Sequence, residues 1–313
     1  MSDQPKNFKD QMKQFRFKKL DAFAAGQSSG NPAGMIAVDS FADITPEEMQ
    51  QIARELRGFV TEVGFVCRVG PDQVVLRYFS AEREVPFCGH ATIAILYDLF
   101  ANDPDLRKLP AIHVDTTTSS LTAENRVATE DAVFISAPNP VSGRQDIAGS
   151  SIAAALGINP ADISTSLPTA KINAGLETLI VPFTDLQSTL TVLPDQERLR
   201  RFCEDHAIDI VTIFTGETAR FDAAWRSRVF APRFGYLEDP ATGSGNAALG
   251  HYLLEQGLWE GETLIIEQNG ERDDPNIVKL MARGGGNGGL QIFVGGGAVS
   301  RIEGWYLLHQ PGS

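Results

Sequence analysis

The 313-residue sequence has only three cysteines, Cys67, Cys88 and Cys203. An odd, sparse set in so long a chain is no disulfide framework. It contains no CxxC pair, which removes the usual ligand spacing of a structural zinc site. Basic residues are also in deficit: 27 Lys and Arg against 40 Asp and Glu leave a net charge of −13. That argues against nucleic acid, whose phosphates need a basic footprint, and against anionic membrane surfaces. A small anionic substrate stays open, because one site can be locally positive. No apolar run approaches the ~20 residues of a membrane span. The opening "MSDQPKNFKDQMKQ" lacks the apolar core of a signal peptide. A reduced, soluble, cytoplasmic protein with a disordered tail over residues 1–14 is expected.

What is present is ordinary globular composition, 42% hydrophobic and 21% charged, in a chain long enough for two domains. Short runs rich in β-branched and aromatic residues dominate: 15–23, 34–38, 61–69 and 73–80 read as strands. "ITPEEMQQIAREL" (44–56) reads as a helix, with Thr45 as cap, Pro46 at the first helical position and Glu48 closing a capping box. A second helix starts near Gly89.

The same order of elements then recurs. Residues 173–183 echo 31–38, 193–206 echo the first helix, 210–216 echo 60–66, and 221–254 echo 73–99. Gly89 matches Gly243, His90 matches Ser244 and Thr92 matches Asn246, each pair 154 residues apart. Four echoes in one order point to a duplication, with two similar lobes and a site in the cleft between them. The stretch "RGGGNGGLQIFVGGG" (283–297) lacks the Lys-Ser/Thr of a phosphate loop and precedes a strand. Hairpin turns are expected there.

"EDPATGSGNAALGHYLLEQG" (238–257) packs four glycines around the start of an apolar helical run. Glycine so dense lets backbone come close to something. Both repeats place such a turn at a helix start, where free N–H groups and a partial positive charge bind anions. A tight strand-to-helix connection alone would also explain either turn. Glu62 breaks an apolar strand face formed with Val60, Gly64 and Val66; its counterpart, about Val211, is apolar. Such a carboxylate can have its pKa raised and act as a general acid/base, or sit exposed at a strand end. His90, at a helix start, could pass a proton while neutral. Asp239 and Ser244 could serve a substrate or cap the helix. Cys88 could be acidified by the helix end, but its counterpart, Thr242, is a poor proton acceptor.

Together "EVPFCGHAT" (84–92), "EDPATGSGNAA" (238–248), "GNPAG" (30–34) and "TEVGFV" (61–66) resemble the phenazine-biosynthesis PhzF-like family of the diaminopimelate epimerase superfamily. The resemblance runs from about residue 15 to the C-terminus. It implies an α+β fold of two similar lobes, each a β-barrel-like sheet around a central helix. The expected boundaries are 15–143 plus 299–313 for the first lobe and 144–298 for the second, because the last strand returns to the first lobe in this family. It implies a cofactor-independent isomerase with no metal, moving a proton on a small carboxylate substrate, as trans-2,3-dihydro-3-hydroxyanthranilate isomerase does. Glu62, His90 and Asp239 fall on the family's catalytic positions. Gly89, Gly243, Ser244 and Asn31 are expected to bind substrate. A homodimer is implied too. A thiol at Cys88 facing Thr242 is similar to certain proline-analogue dehydratases. An amino-acid epimerase or dehydratase using Cys88 is therefore the alternative enzyme, and a non-catalytic small-molecule binder the alternative of another class.

Overall fold

A computed structural model describes residues 12–143, 147–285 and 289–309. The first half of the chain runs β1 (Met12–Ala22), β2 (Asn31–Val38), α1 (Pro46–Glu55), β3 (Glu62–Arg68), β4 (Gln73–Ser80), β5 (Glu84–Val85), α2 (Gly89–Asn102), β6 (Ala111–Asp115), β7 (Ser120–Arg126), α3 (Val127–Glu130) and β8 (Ala132–Ser136). The second half runs β9 (Val141–Gly143), α4 (Gly149–Leu156), β10 (Ala170–Asn173), β11 (Glu177–Pro182), α5 (Leu186–Thr191), α6 (Gln196–Asp205), β12 (Ile210–Thr215) and β13 (Trp225–Phe230). It continues through β14 (Glu238–Asp239), α7 (Gly243–Glu255), β15 (Leu264–Gln268), β16 (Asn276–Gly284) and β17 (Leu290–Gly296), and β18 (Ala298–His309) ends the described chain. This is a mixed α/β fold on one large hydrogen-bonded sheet of 18 strands.

The duplication is written in the strand pairing. In the first half β2 and β3 pair parallel, β3 and β4 antiparallel, β4 with β5 antiparallel and with β6 parallel. In the second, β11 and β12 pair parallel, β12 and β13 antiparallel, β13 with β14 antiparallel and with β15 parallel. The halves are stitched by β8 on β17 and by β18 on β1, where Met12 faces His309.

Helix placement follows from side-chain pattern. α1 starts as its sequence dictates: Thr45 accepts from the Glu48 N–H and Glu48 reaches back to the cap. Its one apolar stripe, Met49, Ile52 and Ala53, covers a cluster with Phe65 and Phe79 on the outer side of the sheet. α2 and α7 are apolar nearly all round, the mark of a buried helix. α2 packs among β1, β2, β3, β7, β8 and β18, while α7 packs against β10, β11, β12, β16 and β17, and the two helices touch. Residues of both share one core cluster. Among the described residues no helix is long and apolar enough to cross a membrane.

Three expectations need adjusting. Met12–Gln14, assigned to the tail, pair with Leu307–His309 in β1–β18; residues 1–11 lie outside the described residues. Val141–Gly143, assigned to the first lobe, pair with β10 in the second half. Val60 does not share a face with Glu62: it precedes β3 and packs in the outer cluster, whereas Val66 faces the inner one. The glycine-rich stretch is indeed a hairpin joining β16 to β17, with Gly284 facing Leu290, though residues 286–288 lie outside the described residues.

Candidate active site

Two turns and one strand end converge where α2 and α7 begin. Glu62 opens β3, on the side of the strand that faces α2. Its Oε2 lies 3.4 Å from His90 Nε2 and 3.8 Å from Cys88 Sγ. His90 is the second residue of α2; its Nε2 is also 3.1 Å from Thr61 Oγ1, and its Nδ1 is 3.4 Å from the Cys88 sulfur.

Asp239 comes from the other half. Asn31 Nδ2 donates to its Oδ1 at 2.7 Å and Thr242 Oγ1 donates to its Oδ2 at 2.7 Å. The same Asn31 amide donates to the Ala241 carbonyl at 2.9 Å, which fixes the orientation of the side chain. Its Oδ1 is buried and without a partner among the described residues. Gln268 completes the frame, donating to the Asp239 carbonyl at 2.8 Å and accepting from the Thr242 N–H at 2.9 Å. Asp239 therefore does not cap α7: the N-cap is Thr242, which makes no side-chain cap bond, and Cys88 at the N-cap of α2 makes none either. Gly89 and Gly243 are the first residues of these helices, and Ser244 follows, half-buried.

Burial governs the electrostatics. Desolvation pushes the Asp239 carboxyl up to about 6; His90 and the Thr242 and Asn31 donors oppose the rise, while the Glu62 charge adds to it. Desolvation, then Glu62 and Asp239, push the Cys88 thiol well above its ordinary value. Asp239 and Cys88 thus lie near enough to Glu62 to feel its charge. Tyr236, which sequence reasoning missed, joins them. The residue is partly exposed, yet burial, Asp239, Glu62 and Cys88 push its phenol up. It sits in the connection between β13 and β14, where no periodicity could have singled it out.

The register shows how the two acids arise. Phe79 faces Glu84 and Phe230 faces Glu238, so these pairs are equivalent. Val63 faces Phe79 and Val211 faces Phe230. Glu62 therefore corresponds to Ile210, one residue from the expected Val211, and Asp239 corresponds to Val85. Each half keeps one acid, at a different position of the repeat, where its counterpart is apolar.

The dense glycines divide by purpose. A Cβ on Gly245 would press on Val229 at 3.0 Å, and one on Gly250 would meet Leu280 at 2.8 Å, so these two let the buried α7 approach its sheet. A Cβ on Gly89 or Gly243 would meet protein atoms only at 3.8 and 3.7 Å. Close packing within the protein does not require glycine at either position.

The ligand atoms of Glu62, Cys88 and His90 lie within 4.8 Å of one another, a spacing that could hold a cation. A metal held there would bind Cys88 as thiolate.

The phenazine biosynthesis-like protein family (PhzC-PhzF) matches residues 20–304. The chain belongs to that family. It is 30% identical over 293 residues to the uncharacterized isomerase YfhB of Bacillus subtilis, covering 92% of this chain and 97% of the relative. It is 28% identical over 297 residues to the trans-2,3-dihydro-3-hydroxyanthranilate isomerase of Pseudomonas fluorescens, covering 92% and 98%. The crystal structure of the Bacillus anthracis PhzF-family phenazine biosynthesis protein superposes with a TM-score of 0.84 at 25% identity, covering 94% and 99%. With relatives of this kind along nearly its whole length, this PhzF-family chain is an isomerase.

Proposed function

We propose that this isomerase moves a proton on a small, unsaturated carboxylate substrate by general acid/base catalysis, without a cofactor, in a cleft between two similar lobes wrapped around α2 and α7. The observation that carries the reading is the convergence of Glu62, His90 and Asp239 from different positions of the two halves. Glu62 takes a proton from a carbon beside the unsaturated system and returns it to another carbon on the same face. Removal and return take place on one face, so one base suffices. The substrate carboxylate sits against the first-turn N–H groups at Gly89–His90 and Gly243–Ser244, which no cap side chain occupies. His90 and Asp239 orient the substrate or relay the proton, and the open Asn31 oxygen accepts an N–H or O–H from it. The relative from Pseudomonas fluorescens makes trans-2,3-dihydro-3-hydroxyanthranilate the first substrate to try. Incubation with it in D₂O should place solvent deuterium on a ring carbon of the product. A ligand that binds but is neither isomerised nor exchanged would make the protein a binder and end this reading. A homodimer belongs to the proposal and is checked by sedimentation.

A further inference from the structure

The two turns that carry the site are held by the same device, repeated. In the first half Arg77 Nε and Nη2 donate to Glu84 Oε1 and Oε2 at 2.7 and 2.9 Å. In the second, Arg228 Nε and Nη2 donate to Glu238 Oε1 and Oε2 at 2.9 and 2.7 Å. Each guanidinium also lies over the phenylalanine two residues on, 5.4 Å from the Phe79 centroid and 5.0 Å from the Phe230 centroid. The register makes all three members equivalent, since Phe79 faces Glu84 and Phe230 faces Glu238.

This clamp persists where the surrounding chemistry has diverged. Glu62 stands against Ile210, Val85 against Asp239, His90 against Ser244 and Cys88 against Thr242. Stability alone is a weak reason to keep it: the Arg228 side chain is 5% exposed, and a buried ion pair gains little over apolar packing. Geometry is a better reason. β5 and β14 are two residues long, too short to fix themselves by ladder bonds. On a strand, successive side chains point to opposite faces. Holding Glu238 on one face therefore commits Asp239 to the other. The second clamp is anchored further, because Arg228 Nη1 also donates to the carbonyls of Thr189, Leu190 and Val192 at 3.1, 3.0 and 2.7 Å. That ties β14, and the connection carrying Tyr236, to the end of α5.

We propose that Arg228 and Glu238 are positioning residues for Asp239, and that Arg77 and Glu84 do the same for the Cys88–His90 turn. The assignment rests on reading Asp239 and His90 as site residues, but its test needs no turnover, so the two can fail separately. With ¹³C-carboxyl aspartate, the Asp239 signal is assigned by its loss in Asp239→Asn, and its wild-type midpoint is expected near 6. Arg228→Lys keeps the charge but loses the fork. In it, and in Glu238→Gln, water should reach the carboxylate and proton affinity should drop at least tenfold. Arg220→Lys, at a remote fork to Asp222, should change nothing. For the first clamp, Arg77→Lys and Glu84→Gln should speed iodoacetamide labelling of Cys88 at least tenfold, with Cys203 as the internal reference.

A thermal midpoint that falls while the Asp239 titration stays put would show a clamp that holds only the sheet, and would overturn the assignment. An Asp239 that titrates as an ordinary carboxylate in the wild type, indifferent to both variants, would overturn it too. If the second-half variants do not fold, unchanged Cys88 labelling in the more exposed first-half variants overturns it as well.

Discussion

Asn31 and Asp239, 208 residues apart in sequence, meet through a 2.7 Å hydrogen bond that crosses from one half of the chain to the other. The bond ties the opening of β2 to the turn before α7, so the relative placement of the halves is fixed at the site itself. Asp239 is left half-buried there, and several expectations follow from that burial and from the acid opposite.

Glu62→Gln should keep the fold and ligand binding, since its carboxylate is partly exposed and, among the described residues, its polar partners are Cys88 and His90. Proton exchange should fall by about 10²–10⁴-fold, the contribution of a positioned acid or base. Deuterium incorporation followed by mass spectrometry reads this directly. Turnover near that of the wild type would remove Glu62 from its role.

Cys88→Ala should leave activity within about tenfold, the effect of ~1.4 kcal/mol on a barrier. The thiol is held protonated by burial and by the Glu62 charge, and its counterpart Thr242 donates its proton to Asp239, so the pair does not supply the two thiol-type bases of a two-base epimerase. Iodoacetamide should inactivate slowly. If Cys88→Ala abolished turnover and Glu62→Gln did not, an epimerase or dehydratase using Cys88 would replace the present proposal.

Asp239→Asn should stabilise the protein at neutral pH. The folded carboxyl sits at about 6, above its ordinary 3.8, so the folded state binds the proton more tightly than the unfolded chain. The stability this gives is fully present below about pH 3.8 and is lost as pH rises through about 6. Asparagine carries no such penalty. The gain at pH 7 should be at most about 3 kcal/mol, the displacement of roughly two units converted to energy, and should vanish near pH 4. Thermal melts of both proteins between pH 4 and 8 test it; a gain that does not depend on pH would refute the cause.

His251 has the opposite sign. It lies buried on α7, and desolvation lowers its pKa below the usual 6.5 despite the Pro138 carbonyl and Glu255. The unfolded chain therefore binds the proton more tightly, and stability should be lost as pH falls below about 6.5. His251→Gln should flatten this part of the pH–stability curve. A variant curve parallel to that of the wild type through the acid range would count against it.

Local signals carried the sequence furthest. The residue pattern marks β4 to the residue at Gln73–Ser80, and Thr45, Pro46 and Glu48 mark the start of α1, because strand alternation and capping act over a few residues. What depends on register was blurred by one position: Ile210, not Val211, answers Glu62, since an echo between diverged repeats does not fix pairing. The Asn31–Asp239 contact has no local signature; only the resemblance pointed to Asn31. Tyr236 sits in a connection between strands, and Thr61 and Gln268 act through bonds whose partners lie 29 and 26 residues away.

The strand β18 lies antiparallel along the whole of β1, from Met12 against His309 to Ala22 against Ala298. As the chain leaves the ribosome, β1 is made before β18, so one of its edges stays bare until every strand between them has been made. The half synthesised first is thus the half completed last. A bare edge of that length invites pairing with another chain, and closing so long a loop is a slow step in folding. A chain stopped at Gly297 would retain every group placed in the site yet leave β1 without this partner, so its failure would show as aggregation rather than as a chemical defect.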